Sequence, residues 1–415
     1  MNKFFSKRST EKTGGEMAIT IIRQGRLFLN PIIGKVIKWL LFPSTVIERC
    51  KIFIACFGLA LFLTGSSLQA QILKDTTSIN LIKKGIDYVY NFKFNDAHEI
   101  WREINKLYPG NPVGYLFKGM ITYWENYPLL PSSVACVTFE ADLHTCIELC
   151  EKNKTPALEA ENLLANLCAR GFLLLFYTDN DLSIEVFPLA TSTYQYIRRS
   201  FNFTSDYSDF LFFTGLYYYY REVYPEAYPI YKPLAVLFPK GDRVKGLKQL
   251  LTVANNSIVL KAESFSFLSG IFLSYENNFQ QATHYSKSLH DLYPDNLEYL
   301  GAYIKNLLLI KQYDEAEKEM RWVNTNLSNS YFQAQISIFK GILQEKKYHD
   351  IKKAQQFYIE GAREMSLFGS YGNEYAAYAY FGLSRISDIS GDKYYKKMYR
   401  KLASKLAVFP TVDFD

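Results

Sequence analysis

Histidine is scarce in this 415-residue chain, which holds five: His98, His144, His284, His290 and His349. None stands in a His-Glu-x-x-His or comparable ligand spacing, which removes the sequence-readable zinc hydrolases. His284 and His290 are six apart, off a shared helical face, and are expected to face solvent. The chain also has no Gly-x-Ser-x-Gly elbow, no phosphate-cradling loop ending in Gly-Lys-Ser/Thr and no glycine fingerprint for a dinucleotide. No catalytic residue, metal ligand set or cofactor is therefore assigned, and the chain is read as a non-enzyme. A basic surplus is missing where it would matter. Residues 1–70 carry ten Lys/Arg and three Asp/Glu, so the overall +6 leaves a net of −1 from Gln71 onward. A nucleic-acid binder would be expected to keep positive charge in its folded part, so no nucleic-acid partner is expected.

Long apolar runs are short of what a membrane span needs. Ile52 to Thr64 is a run of thirteen residues, against roughly twenty for a bilayer. Arg49 and Lys51 precede it, and small residues lead to Ala70-Gln71. Residues 47–70 read as a signal peptide cleaved after Ala70, with export to the periplasm or cell envelope of a Gram-negative-type bacterium. An uncleaved anchor is the alternative, and the membrane would then be met through this segment alone. Residues 1–46 form a basic extension, read either as an over-long start or as an amphipathic leader.

Cysteine is sparse too. Cys50 and Cys56 belong to the leader, and the apolar stretch continues past Cys56, against a lipoprotein reading. Cys136, Cys146, Cys150 and Cys168 remain. Cys146 and Cys150 share a helical face, with Cys168 on the next helix, so either one disulfide or buried thiols is expected. A metal site lacks a fourth ligand.

Aromatic side chains, by contrast, are abundant, with 33 Tyr and 31 Phe, and they carry a repeat. Gly85–Ala97–Pro109, Gly215–Ala227–Pro239 and Gly270–Ala282–Pro294 share one spacing. Each proline closes a similar tripeptide: Leu107-Tyr108-Pro109, Leu237-Phe238-Pro239 and Leu292-Tyr293-Pro294. A small residue on each of two antiparallel helices lets them pack closely, and the proline stops the second. Gly270→Leu is accordingly expected to overpack a helix pair.

In a 34-residue frame opening at Ser78, Leu81, Gly85, Tyr88, Ala97, Trp101 and Pro109 fall where the tetratricopeptide repeat (TPR) consensus is most restrictive. Further frames open at Pro112, Ser208, Glu263 and Leu297, with weaker units around Gly341/Ala354 and Gly382/Tyr394. The pattern resembles the TPR family. It implies an all-α, right-handed solenoid of helix-turn-helix repeats, with N-terminal repeats over 71–130 and C-terminal repeats over 207–415. Residues 131–206 are expected to be degenerate helical repeats with long loops. Pro225, Pro229 and Pro233 should leave the second helix of the Ser208 frame short or kinked.

The resemblance also implies that first helices line a concave surface. On this chain those positions include Met120, Tyr123 and Trp124 in one unit, Phe212, Leu216, Tyr219 and Tyr220 in the next, and Phe267, Ile271 and Tyr275 in a third. The groove would be apolar and tyrosine-rich, suited to a protein or peptide partner or to a glycan; the competing reading makes these side chains ordinary core. Lys305 is the one basic residue at such positions in the first five frames, against a clamp for chaperone tails. The expected role is a non-catalytic scaffold or adaptor of the envelope, with a glycan-binding or enzyme-accessory component and a membrane-tethered assembly factor as alternatives. A scaffold should show an open groove, an enzyme acids with shifted pKa values in a deep pocket.

Overall fold

The computed structural model describes residues 72–73, 75–229, 232–236, 238–323, 329–408 and 412–415. The signal peptide, the basic extension, Cys50 and Cys56 lie outside them. Among the described residues every regular element is helical, and the helices pair into eight antiparallel hairpins. The first four are α1 (Thr76–Tyr90) with α2 (Phe94–Leu107), α3 (Pro112–Glu125) with α4 (Val134–Lys152), α5 (Glu159–Asp179) with α6 (Ser183–Ser200), and α7 (Phe210–Ala227) with α9 (Arg243–Asn256). A four-residue α8 (Lys232–Ala235) lies between α7 and α9. The remaining four pair α10 (Lys261–Ser274) with α11 (Phe279–Leu292), α12 (Leu297–Leu309) with α13 (Tyr313–Val323), α14 (Ser330–Lys346) with α15 (Ile351–Met365), and α16 (Asn373–Ile389) with α17 (Lys393–Leu406). Each second helix packs on the first helix of the next hairpin, so the chain is an all-α helical-repeat solenoid with one large core running through the hairpins and a small separate cluster of Ala377, Phe381, Ala403 and Ala407 in the last.

Two local devices set the hairpins. Short polar residues cap the helix starts: Asp75 accepts from the Ser78 amide at 2.9 Å, Asn111 from Val113 at 2.9 Å with Pro112 at the first helical position, and Asp242 from Lys245 at 2.8 Å. The tight turn inside six hairpins has one residue in the left-handed region: Phe92, Asp181, Asn277, Lys311, His349 and Gly391. The next amide then reaches back into the preceding helix, as Lys93 does to Tyr88 O (2.9 Å), Leu182 to Tyr177 O (2.8 Å) and Asp392 to Ser387 O (2.9 Å).

Several expectations change. Residues 131–206 form helices as regular as the rest, of 19, 21 and 18 residues, joined by short connectors instead of long loops. In the Ser208 frame, α7 runs through Pro225 to Ala227, which is exposed and does not pack as the second helix's alanine. The prolines displace that helix downstream, and α9 takes its place: a Cβ at Gly246 would stand 2.6 Å from the Tyr219 amide nitrogen. Gly85 behaves as the frame requires, since a Cβ there would meet Phe117 Cζ at 2.5 Å. Gly270 does not. Nothing lies within 4 Å of its Cβ position, so a Cβ at Gly270 does not press on a neighbouring helix as one at Gly85 would.

The superhelix winds back onto itself with an offset of five hairpins. Asn296 caps α12, accepting from Glu298 and Tyr299 amides at 3.1 Å each, while its Nδ2 donates to the Tyr90 carbonyl at the end of α1 (3.0 Å). Asn329 repeats this for α14 and the chain just after α3: its Oδ1 accepts from Tyr331 N at 2.9 Å, and its Nδ2 donates to Tyr127 O at 2.9 Å. Ser370, ahead of α16, bonds Asp181, just after α5. Lys93 and Asp295 add an ion pair at 3.8 Å. First helices therefore surround an axial space instead of lining an open trough.

The left-handed turn yields a stability test. Exposed Lys311 sits at φ +62°, where a Cβ costs roughly 1 kcal/mol and glycine avoids it. Lys311→Gly should raise the melting temperature and Lys311→Val should lower it; a lower melting temperature for the glycine variant would contradict the turn.

Candidate functional site

The axial space is a cavity of about 240 Å³, lined from α1, α3, α5, α7, α10, α12, α14 and α16, with a few residues from elsewhere. Five of the ten groove residues named above reach it: Tyr123, Trp124, Phe212, Tyr220 and Phe267. The other five sit in packing. Met120 borders a separate apolar gap with Ile82, Ile86 and Phe117. Leu216 and Ile271 are wholly buried between helices. Tyr219 is equally buried, and its hydroxyl donates to Glu276, which also accepts from Arg243 Nε at 2.9 Å. Tyr275 packs edge-on against Tyr219 and Tyr220.

The cavity brings in polar groups beyond the ten groove residues named above. The Tyr90 hydroxyl donates to Glu263 Oε1, binding the first hairpin to the fifth. Burial pushes the Glu263 carboxyl up to about 7; the Tyr90 hydrogen bond opposes this and the Asp209 charge adds to it. Asp209 is buried and structural, accepting from Ser257 Oγ (2.6 Å), Val259 N (2.8 Å) and Leu260 N (3.1 Å), which fixes the start of α10 against that of α7. Lys305 meets Glu374 at 2.9 Å, and Glu374 also accepts from Tyr378. Asn306 donates to Ala282 O (3.1 Å) and Ser286 Oγ (2.9 Å), aligning α12 with α11. Burial raises the Cys168 thiol, with Glu263 and Asp209 adding, so it stays protonated and is a poor nucleophile.

Three buried polar atoms on lining residues have no hydrogen-bond partner among the described residues: Trp124 Nε1, Glu263 Oε2 and Asn306 Oδ1. Unmet polar atoms beside an aromatic cavity are the features of a small-ligand site. Of the lining residues missed in sequence, Glu298 occupies the second position of the Leu297 frame, one that the repeat assigns to the inner face. Tyr90 stands in the Ser78 frame where Trp124 stands in the Pro112 frame, so the same rule marks it for the inner face; Glu263 carried no signal, since it opens a frame.

Elsewhere, Cys136, Cys146, Cys150 and Cys168 are free and buried. His290 departs from expectation: it is half-buried, stacked on Tyr303 with ring centroids 5.8 Å apart, and 3.7 Å from Glu319. Among the described residues no cluster of His, Cys, Asp and Glu has the arrangement of a metal site, and no helix is long and apolar enough to cross a membrane. The chain matches no protein-family model, no curated protein and no solved structure.

The Glu263 carboxyl makes stability depend on pH. Its folded pKa lies above its ordinary 4.5, so its contribution is full below about pH 4.5 and is lost as pH rises through about 7, on the order of 3 kcal/mol. Glu263→Gln should flatten the fall in melting temperature between about pH 5 and 8. An identical slope in the variant would show that the carboxyl titrates normally.

Proposed function

We propose that this chain is an exported, non-catalytic binding protein of TPR-like architecture, acting as a scaffold or adaptor for a protein partner in the envelope of a Gram-negative-type bacterium. The observation that carries this is the convergence of the first helices on one aromatic cavity with unmet polar atoms. In the TPR resemblance those helices are the partner-binding ones. At about 240 Å³ the space is below the range of drug-sized pockets and far below a groove for a helix. The partner is therefore received as a protruding side chain or chain terminus. A carboxyl near neutrality does suit acid–base chemistry. Its neighbours argue for binding: Glu374 is already held by Lys305, and Cys168 is protonated. The basic flank, apolar run and small residues before Gln71 support export, and the net −1 from Gln71 onward argues against nucleic acid. A second reading, a glycan-binding component, is favoured by the tyrosine and tryptophan rings in the lining.

Gly270 gives a test, because it lines the cavity and the space where its Cβ would stand is open. Affinity capture from envelope extracts with the mature chain should recover a protein that Gly270→Leu loses, and the native protein should begin at Gln71. Identical partners for both forms would separate partner binding from the cavity, and a retained Ile52–Thr64 segment would replace export by tethering.

A further inference from the structure

We propose that the outer face of the last helix, α17, docks the protein on an anionic phospholipid surface. The inference is separate from the cavity and its partner, since no α17 residue lines that space.

Position comes first. First helices surround the axis, so second helices form the outside of the superhelix, and each of the first seven packs on the hairpin that follows it. α17 ends the array and has no following hairpin. Its rotation is set by the side that packs on α16. Ala403 is fully buried there, Tyr399 stacks on Tyr380 with centroids 6.1 Å apart, and the Arg400 guanidinium lies 4.8 Å from the centre of the Phe381 ring. The opposite side is thereby held toward solvent.

Positive charge is concentrated on this helix. α17 carries six basic residues and no acidic one, whereas the net charges of the other seven second helices run from −3 to +3. The chain from Gln71 onward has a net of −1, so without α17 it would stand at −7. Two of the six are answered locally: Lys396 meets Asp388 at 2.7 Å and Arg400 meets Asp413 at 3.4 Å. Asp392 is used as the helix cap, accepting from the Tyr395 amide at 3.1 Å. Lys393, Lys397, Lys401 and Lys405 are exposed and have no ion pair among the described residues. Four residues apart, they form one row at intervals of about 6 Å, within a Debye length of each other, so their potentials add.

Apolar side chains flank the row. Tyr394, Tyr395 and Leu402 are all exposed, Tyr394 at 73%. Lysines beside rings and aliphatic chains suit a helix lying in a bilayer interface: the ammonium heads stay with the phosphates while the apolar groups enter the acyl boundary. The choice of lysine favours lipid over an acidic protein. A fixed carboxylate is matched best by the fork of an arginine, and the one arginine of α17 is already engaged with Asp413. Point charges on flexible stems match a diffuse layer of headgroups.

The test floats the chain from Gln71 onward with vesicles of phosphatidylcholine alone, or of phosphatidylcholine with about 30% phosphatidylglycerol. Anionic vesicles should bind it at least about tenfold more tightly at about 0.1 M salt, with the difference shrinking at about 0.5 M. Lys397→Glu/Lys401→Glu should lower that binding at least about tenfold, and Tyr394→Ser/Leu402→Ser about threefold or more. All four side chains are exposed, so both variants should keep the native melting temperature. Gly270→Leu should bind vesicles as the native chain does, so that failure of the cavity reading and failure of this one are told apart. No preference for anionic vesicles, native binding by the lysine variant, or no loss in the Tyr394/Leu402 variant would each overturn the proposal. So would a polyglutamate peptide that binds the native chain and not the lysine variant while vesicles bind neither, which would assign the face to an acidic protein.

Discussion

Two asparagine side chains hold this superhelix at its pitch by acting at both ends. In Asn296 and Asn329 the amide oxygen caps a helix start, and the amide nitrogen clips the end of a first helix five hairpins earlier. An N-cap is worth about 1 kcal/mol and a buried hydrogen bond about as much again. The geometric effect is larger than those figures suggest. Neighbour-on-neighbour packing fixes each hairpin against the next, but a small rotation per repeat accumulates along a solenoid. A bond from the first hairpin to the sixth, and another from the second to the seventh, removes that freedom.

The site follows from the closure. Inner-face rings that would meet water in an open trough meet one another here: Tyr90 lies 5.1 Å from Tyr293, and Tyr127 lies 5.6 Å from Tyr371. Burial that stabilises these rings also raises the Glu263 carboxyl, because the water that would solvate its charge is gone. The cavity is what remains on the axis where no side chain reaches across, and Gly270 is part of the reason that none does.

The architecture was legible where packing demands small residues. Gly85, Ala97, Ala282 and Ala316 mark helix contacts because a larger side chain would not fit there, and the alanines are all fully buried. The repeat faded over 131–206 because its hairpin turn is a backbone conformation. Phe92, Asp181, Asn277, Lys311 and His349 all adopt it, so no residue type announces it. Closure was invisible for a different reason. Asn296 and Tyr90 are 206 residues apart, and a capping asparagine looks the same whether or not its nitrogen has a partner. Tyr219 and Tyr220 show the limit at the site: adjacent in one aromatic run, they diverge, with Tyr220 on the cavity and Tyr219 packed onto Glu276. Composition cannot separate them, because the rotation of α7 about its own axis decides which one faces inward.

Closure is the claim on which both the cavity and its chemistry stand, and a distance measures it. Spin labels at Lys93 and Asp295, partly exposed partners 3.8 Å apart in the structure, report the gap between the first and sixth hairpins in solution. A closed superhelix gives one narrow distribution centred at roughly 10–20 Å, set by the labels' own length. Five hairpins stacked in an open array, at about 10 Å per helix layer, would place the labels some 40–50 Å apart, and a distribution centred there would contradict the account.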